Sequence, residues 1–411
     1  MSTTQTVESG VLPGRIEFVR EPSYFGVPTD PSWKRFSDVA RSFTAGPGPS
    51  YSAQADIGTP DAADHFRGLE DPSCEVTYDL QKQLVDGSGN PDDAAADGIL
   101  RDSENQLQNT HMVVHRREHA GGNDNAGIRE YTVMRGGKIE SVDAENAPDD
   151  EQPIGVTLSY APRKVRSFLI HQPSSGTTLD VSSTSSNDTM DLTVEDEGAA
   201  TSETITLSGT TTASGATTFS DIDAAWLSAQ PEGDVTVTDG SGTTLMIIKG
   251  GTSYSDDGQP VDGDRGVPPL GSGSHASAIG TSFEHFVGDR LERPSGSAVR
   301  QRVSTASWSI ENDLESNPVH DSRYPVYDEG NRTVSVDTDV AGKTVSHDNF
   351  VEALTKDQQN LEHELDSTLV TFKNTVPADI DAREVDAESG VSVYSVTFEA
   401  SGDPAITLAQ P

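Results

Sequence analysis

A single cysteine, Cys74, stands in 411 residues, so no intrachain disulfide and no cysteine-based zinc site can form. Positive charge is also scarce. Against 67 Asp and Glu there are 28 Lys and Arg, leaving −39, and only eight of those cations are Lys. Such a balance repels phosphate and excludes an electrostatic nucleic-acid binder. Hydrophobic residues make up 33%, and no run approaches the roughly 18 apolar residues of a membrane helix. The opening MSTTQTVESGVLPGR has neither the basic nor the apolar region of a secretory leader, so none is expected.

The acidity needs a cause. In ordinary buffer a chain at −39 repels itself strongly, whereas in molar salt the screening length falls to about 3 Å. Acidic excess, little Lys and abundant Ser, Thr and Gly together look like a protein of a salt-accumulating halophile, the alternative being an acidic protein of a mesophile.

Length alone suggests two to three domains at about 150 residues each. Period-two alternation dominates what is present. Cys74, Val76, Tyr78 and Leu80 share one strand face, as do Ile154, Val156, Leu158 and Tyr160. Ala306, Trp308 and Ile310 form a third such face, and Val334, Val336 and Val340 a fourth. Further strands are expected at 129–134, 165–170, 190–194, 204–207, 234–238, 244–248, 368–372 and 391–398, with Gly- and Asp-containing turns beside them. One helix is expected over 349–365, where Phe350, Val351, Leu354, Leu361 and Leu365 make a stripe behind an Asn349/Glu352 capping pair.

Composition changes sharply in the middle. Ser174 to Ile248 holds 12 acidic residues, 29 Ser or Thr in 75 positions, and no Lys or Arg. Short alternating runs within it suit a small immunoglobulin-like sandwich. The expected organisation is therefore a mostly-β domain in two parts, 1–171 and 251–411, interrupted by a separate module at 172–250. Segments 43–66 and 83–108 show no periodicity and read as long arms or loops.

Chemical motifs are few. His111, His115 and His119 have helical spacing for metal-ligating imidazoles, but the adjacent valines favour a strand edge, and Arg116 and Arg117 oppose a cation. His363-Glu-Leu-Asp-Ser367 starts like a zinc-protease helix and lacks its second histidine. The loose glycine fingerprint at Gly271–Ala276 follows Pro-Pro-Leu rather than a strand. Asp86, Ser88, Asn90 and Asp92 are spaced as in a calcium loop, yet Pro91 takes the place of the required glycine. Carboxylate pairs such as Asp149-Asp150 and Asp256-Asp257 lose meaning among so many acids. No catalytic, cofactor-binding or metal residue is assigned, and no enzyme or cofactor is expected.

Several segments together resemble the major tail tube proteins of long-tailed viruses, here one infecting a halophilic archaeon. They are Glu21-Pro-Ser-Tyr-Phe-Gly26-Val-Pro28 leading through Trp33 to Arg35-Phe-Ser-Asp-Val39, Phe66-Arg-Gly-Leu-Glu70 before Tyr78-Asp-Leu-Gln81, and Tyr131–Val142 with Pro153–Tyr160. Ser307–Leu314, Arg332–Asp339 and Thr397-Phe-Glu-Ala400 complete the set. The resemblance covers mainly 10–165 and 280–405. It implies a tail-tube-like β-barrel or sandwich with one packed α-helix, and a decorating immunoglobulin-like module. It further implies homohexameric rings stacked into a virion tail tube that contacts other tail and virion proteins. Double-stranded DNA would pass through the lumen without specific binding, and no membrane would be involved. The competing reading is an acidic cell-surface or adhesin-like β-sandwich protein of a halophile.

Overall fold

A computed structural model describes residues 15–23, 26, 33–36, 40–48, 51–55, 62–67, 70–80, 83–102, 106–118, 127–146, 154–196, 201–251, 264–269, 289–293, 299–300, 303–317, 324–341, 358–365, 368–380, 384–385 and 392–410. The chain is mostly β, and every strand pairing among the described residues is antiparallel. The expected strands lie where the alternation puts them, with no end more than one residue outside the observed one.

The largest sheet is organised around two long strands, each pairing with different partners along its two halves. The first half of Ile128–Asn146 lies between His111–Glu118 and Lys164–His171, with Arg15–Arg20 beyond His111–Glu118. Its second half lies between Gly155–Ala161 and Val303–Glu311. From there the sheet continues through Thr333–Ala341 and Ser392–Glu399 to Thr368–Ile380. The first half of Thr368–Ile380 pairs with Gln359–Leu365 and Ile406–Ala409.

Strands between Leu179 and Ile248, joined by Gly266–Val267, form two four-stranded sheets that share one apolar core. One is ordered Ala213–Ser214, Leu179–Ser183, Val235–Asp239, Thr244–Ile248. The other is ordered Ser202–Thr206, Asp191–Glu195, Ala224–Leu227, Gly266–Val267. The last strand comes from beyond residue 250. Gly266 reaches it at φ +91°, and a Cβ there would sit 2.2 Å from the Ala225 carbonyl oxygen, so only glycine fits.

Two apolar cores result, and one stretch of sheet separates them. The strands Arg15–Arg20, His111–Glu118, Ile128–Asn146 (first half) and Lys164–His171 form this wall. Alternation sends Ile16, Phe18, Val113, Met134 and Val165 into the body core, with Val76, Leu158, Trp308 and Phe372. The intervening Val19, Met112, Val114, Tyr131, Val133, Phe168 and Ile170 enter the sandwich core, with Leu192, Val237 and Ile248. A wall apolar on both faces reads as a continuous run, as in Met112-Val113-Val114.

Three sequence expectations are corrected. Residues 359–365 of the expected helix 349–365 are strand Gln359–Leu365; residues 349–357 lie outside the described residues. Leu361 and Leu365 are four apart, a spacing that satisfies a strand face as well as a helix stripe. The described helix is instead Ala94–Ile99, inside the expected loop 83–108. All six of its residues are buried, so it carries no amphipathic pattern to detect. Its Gly98 packs where a Cβ would lie 2.5 Å from Val142 Cγ2 and 2.8 Å from Ile139 Cγ2. The expected arm 43–66 begins as strand Ala40–Gly46, paired with Ser73–Asp79, and continues as the hairpin Tyr51–Ala55/Ala62–Arg67.

Candidate functional site

Each face of the wall carries a polar centre. On the body side the helix Ala94–Ile99 delivers Asp97, fully buried, to the sheet. Its carboxylate lies 2.8 Å from His111 Nε2 and accepts from Arg20 Nε at 2.7 Å and Asn109 Nδ2 at 2.6 Å. His111 Nδ1 lies 3.0 Å from the Tyr160 hydroxyl. Burial works against this carboxylate, but His111 and Arg20 outweigh it and hold its pKa below the ordinary value. One turn earlier the helix cap Asp93 accepts from Tyr78 Oη at 2.6 Å and Ala95 N at 2.8 Å. Burial dominates there and lifts its pKa to about 7. Arg332 closes the other helix end by donating to the carbonyls of Gly98 and Ile99, as a cation at a helix C-terminus should.

On the sandwich side Asp223 plays the corresponding part. It accepts from Tyr131 Oη at 2.7 Å and pairs with Arg116 at 3.0 Å and Arg129 at 3.4 Å. Gln172 fastens the neighbouring backbone, accepting from Ile222 N and donating to Ile222 O.

The histidine series resolves accordingly. His111 and His115 lie on an interior strand of the wall, flanked on both sides, which corrects the expected strand edge. They share the body-facing side: His115 packs at a tilt against Phe43 with ring centroids 4.5 Å apart, and burial lowers its pKa to about 4. His119 is outside the described residues. The Asp86 carboxylate turns into its own loop, accepting from Ser88 N and Asn90 N, and the Asn90 side chain leads the contacts that lower its pKa. Asp92 turns away to Lys34 and Gln83, so the calcium-loop spacing does not converge. His363 is buried on strand Gln359–Leu365, not on a helix. Residues 271–276, 149–150 and 256–257 lie outside the described residues. Burial raises the Cys74 thiol far above its ordinary pKa, which leaves it inert.

The feature that sequence reasoning missed is a cleft where the wall meets the sandwich. Arg135, Lys164 and Arg166 line it from the wall; Trp226, Asp264, Arg265 and Gly266 line it from the sandwich. The guanidinium carbons of Arg135 and Arg265 lie 5.6 Å and 5.5 Å from the centroid of the Trp226 ring, within cation–π range. Asp264 is engaged by Lys164 at 2.9 Å and Arg166 at 3.3 Å. Arg166 also donates to Glu70 and to the Tyr324 hydroxyl. Four cations thus meet two carboxylates in a chain whose acids outnumber its bases more than twofold. A signal existed: eight of the 28 cations fall in 116–166, directly before a stretch with none.

Among the described residues no group of acidic, His or Cys side chains is arranged to hold a metal ion, and no helix is long and apolar enough to cross a membrane. The chain matches no protein-family model and no curated protein.

Proposed function

We propose that the chain is a structural virion protein, the subunit of a viral tail tube built from stacked homohexameric rings that conduct DNA. The sequence resemblance over 10–165 and 280–405 motivates the reading, and the mostly antiparallel body is compatible with it. The observation that carries it is the hairpin Tyr51–Ala55/Ala62–Arg67. Among the described residues it pairs with no strand but itself, and an isolated two-stranded hairpin is marginal in water. Beside it Ala40–Gly46 is hydrogen-bonded on one side only, to Ser73–Asp79, among the described residues. An arm next to an open strand edge suits contacts with further copies, because such edges recruit strands from neighbouring chains.

Charge sets the conditions. Six copies at −39 carry −234 before counterions, and the screening length grows from about 3 Å at 1 M salt to about 10 Å at 0.1 M. Assembly therefore fails on dilution before the subunit unfolds. The test is electron microscopy with light scattering on the full chain in molar salt, beside a variant with 51–67 replaced by a short Gly-Ser linker. The full chain gives rings and tubes, and the variant stays dispersed with its strand signal intact. Dispersed full-length subunits at every concentration and salt would contradict the proposal.

A further inference from the structure

We propose that the hairpin arm Tyr51–Ala55/Ala62–Arg67 is held in one direction by a stiff neck at its base, with Gly48 and Glu70 as positioning residues, so that the arm is aimed before a neighbouring copy of the chain arrives. The two segments that lead into and out of the arm meet where Asp71 N donates to Gly48 O at 2.8 Å. Backbone touches backbone there. Gly48 has φ +53°, and a Cβ on it would lie 1.7 Å from the Asp71 carbonyl oxygen and 3.0 Å from Pro72 N. Only glycine adopts that conformation without strain and leaves that space. Prolines surround the crossing: Pro47 and Pro49 flank Gly48, and Pro72 follows Asp71. Each proline fixes its own φ, and proline-rich connections act as spacers where Gly- and Ser-rich ones act as coils.

Both sides of the neck are also fastened to the wall. On the entering side Phe43 packs against His115. On the returning side the buried Glu70 carboxylate takes two donors from Arg166, Nη1 at 3.0 Å and Nη2 at 3.3 Å. Such a two-pronged pairing fixes orientation as well as distance. Arg166 is held in turn by donating to the Tyr324 hydroxyl. Between neck and hairpin lie only residues 49–50 on one side and 68–69 on the other. A hairpin joined at both ends by two residues takes its direction from its base. An arm already fixed loses less freedom on docking than a swinging one, which is how preorganisation raises affinity. That the partner is a second copy rests on the tail-tube reading; the stiffness of the neck does not.

Spin labelling tests the neck directly. Cys74 is buried, so labels go to cysteines introduced as Ser52→Cys on the arm and Glu399→Cys at an exposed position of the body. Pulsed electron double resonance is run on the full chain in molar salt, at a dilution where subunits are dispersed. The expected distance distribution of the otherwise unaltered chain is single and narrow. Gly48→Ala is expected to broaden it at least twofold while the strand signal in circular dichroism is retained. Glu70→Gln, which adds no atom to the crossing, is expected to broaden it less and covers a Gly48→Ala chain that fails to fold. A broad distribution in the unaltered chain, or an unchanged width in both variants, would overturn the proposal. Light scattering at assembling concentrations separates this outcome from the tail-tube reading. A narrow distribution in a chain that never assembles upholds the neck and contradicts that reading. Assembly of Gly48→Ala at full yield despite a broadened distribution would overturn the role given to the neck in docking.

Discussion

The two faces of the wall solve one problem with different materials. On the body side a six-residue helix carries Asp97 into contact with His111, Arg20 and Asn109. On the sandwich side an inserted unit of more than seventy residues carries Asp223 into contact with Arg116, Arg129 and Tyr131. In both, the packed element brings the carboxylate and the sheet brings the donors. The wall therefore has no face that can be left bare, and the sandwich is a structural half of the molecule as much as a decoration.

The severest way to break that symmetry is to remove one half. Deleting 172–250 and joining His171 to Gly251 would expose Val19, Met112, Val114, Tyr131, Val133, Phe168 and Ile170 together. The sequence alone suggested a separate module at 172–250. The shared core predicts aggregation or loss of strand signal, to be read by circular dichroism and size-exclusion chromatography in molar salt.

Next come the two buried carboxylates. Asp223→Ala leaves Arg116 and Arg129 without their shared partner at side-chain exposures of 5% and 11%. Removing one partner of a buried ion pair costs roughly 3–5 kcal/mol, and Asp97→Ala should fall in the same range. Both losses should persist in molar salt, because buried pairs are poorly screened. Denaturant titration of the two single variants and the double checks this. Their sites share no partner, so the costs should add.

A packing probe confined to the body side is milder. Gly98→Ala forces a methyl against Val142 and Ile139, and overpacking of this kind costs about 1–3 kcal/mol. On the sandwich side Asp223 arrives directly before strand Ala224–Leu227 rather than on a helix.

pH probes the body side alone, through two groups of opposite sense. Asp93 has its folded pKa near 7, above the ordinary 3.8. Between those values the folded chain holds a proton that the unfolded chain has shed. Its contribution is therefore fully present below about pH 4 and is lost as pH rises through 7. Asp93→Asn should flatten that part of the stability profile, measured as melting midpoint against pH. His115, lowered to about 4, acts in the opposite sense: stability grows as pH rises from about 4 towards 6.5. Histidine removal at 115 should therefore steepen the net decline. Smallest of all is Lys249→Ala. Its ion pair with Asp234 is exposed on both partners, so the loss should stay within ~0–1 kcal/mol.

Strands such as Gly155–Ala161 and Val303–Glu311 were legible because each buries alternate residues. Apart from Arg15–Arg20, which was not expected as a strand, the wall was legible as strands but not as a partition, since a residue's sequence does not say which of two cores it faces. The helix Ala94–Ile99 escaped because burial on every side erases periodicity, and Gln359–Leu365 was misread because its leucine spacing fits both periods. The cleft escaped for another reason. Arg135, Lys164, Trp226 and Arg265 are separated by up to 130 positions, and only the sheet register of Lys164 opposite Arg135, with the closing strand Gly266–Val267, brings them together.

Scanning calorimetry of the full chain in molar salt tests the central claim most directly, that one sheet joins two cores into a single cooperative unit. The account predicts one transition whose calorimetric and van't Hoff enthalpies agree. Two separable transitions, with the Trp226 environment lost at a different temperature from that of Trp308, would contradict it.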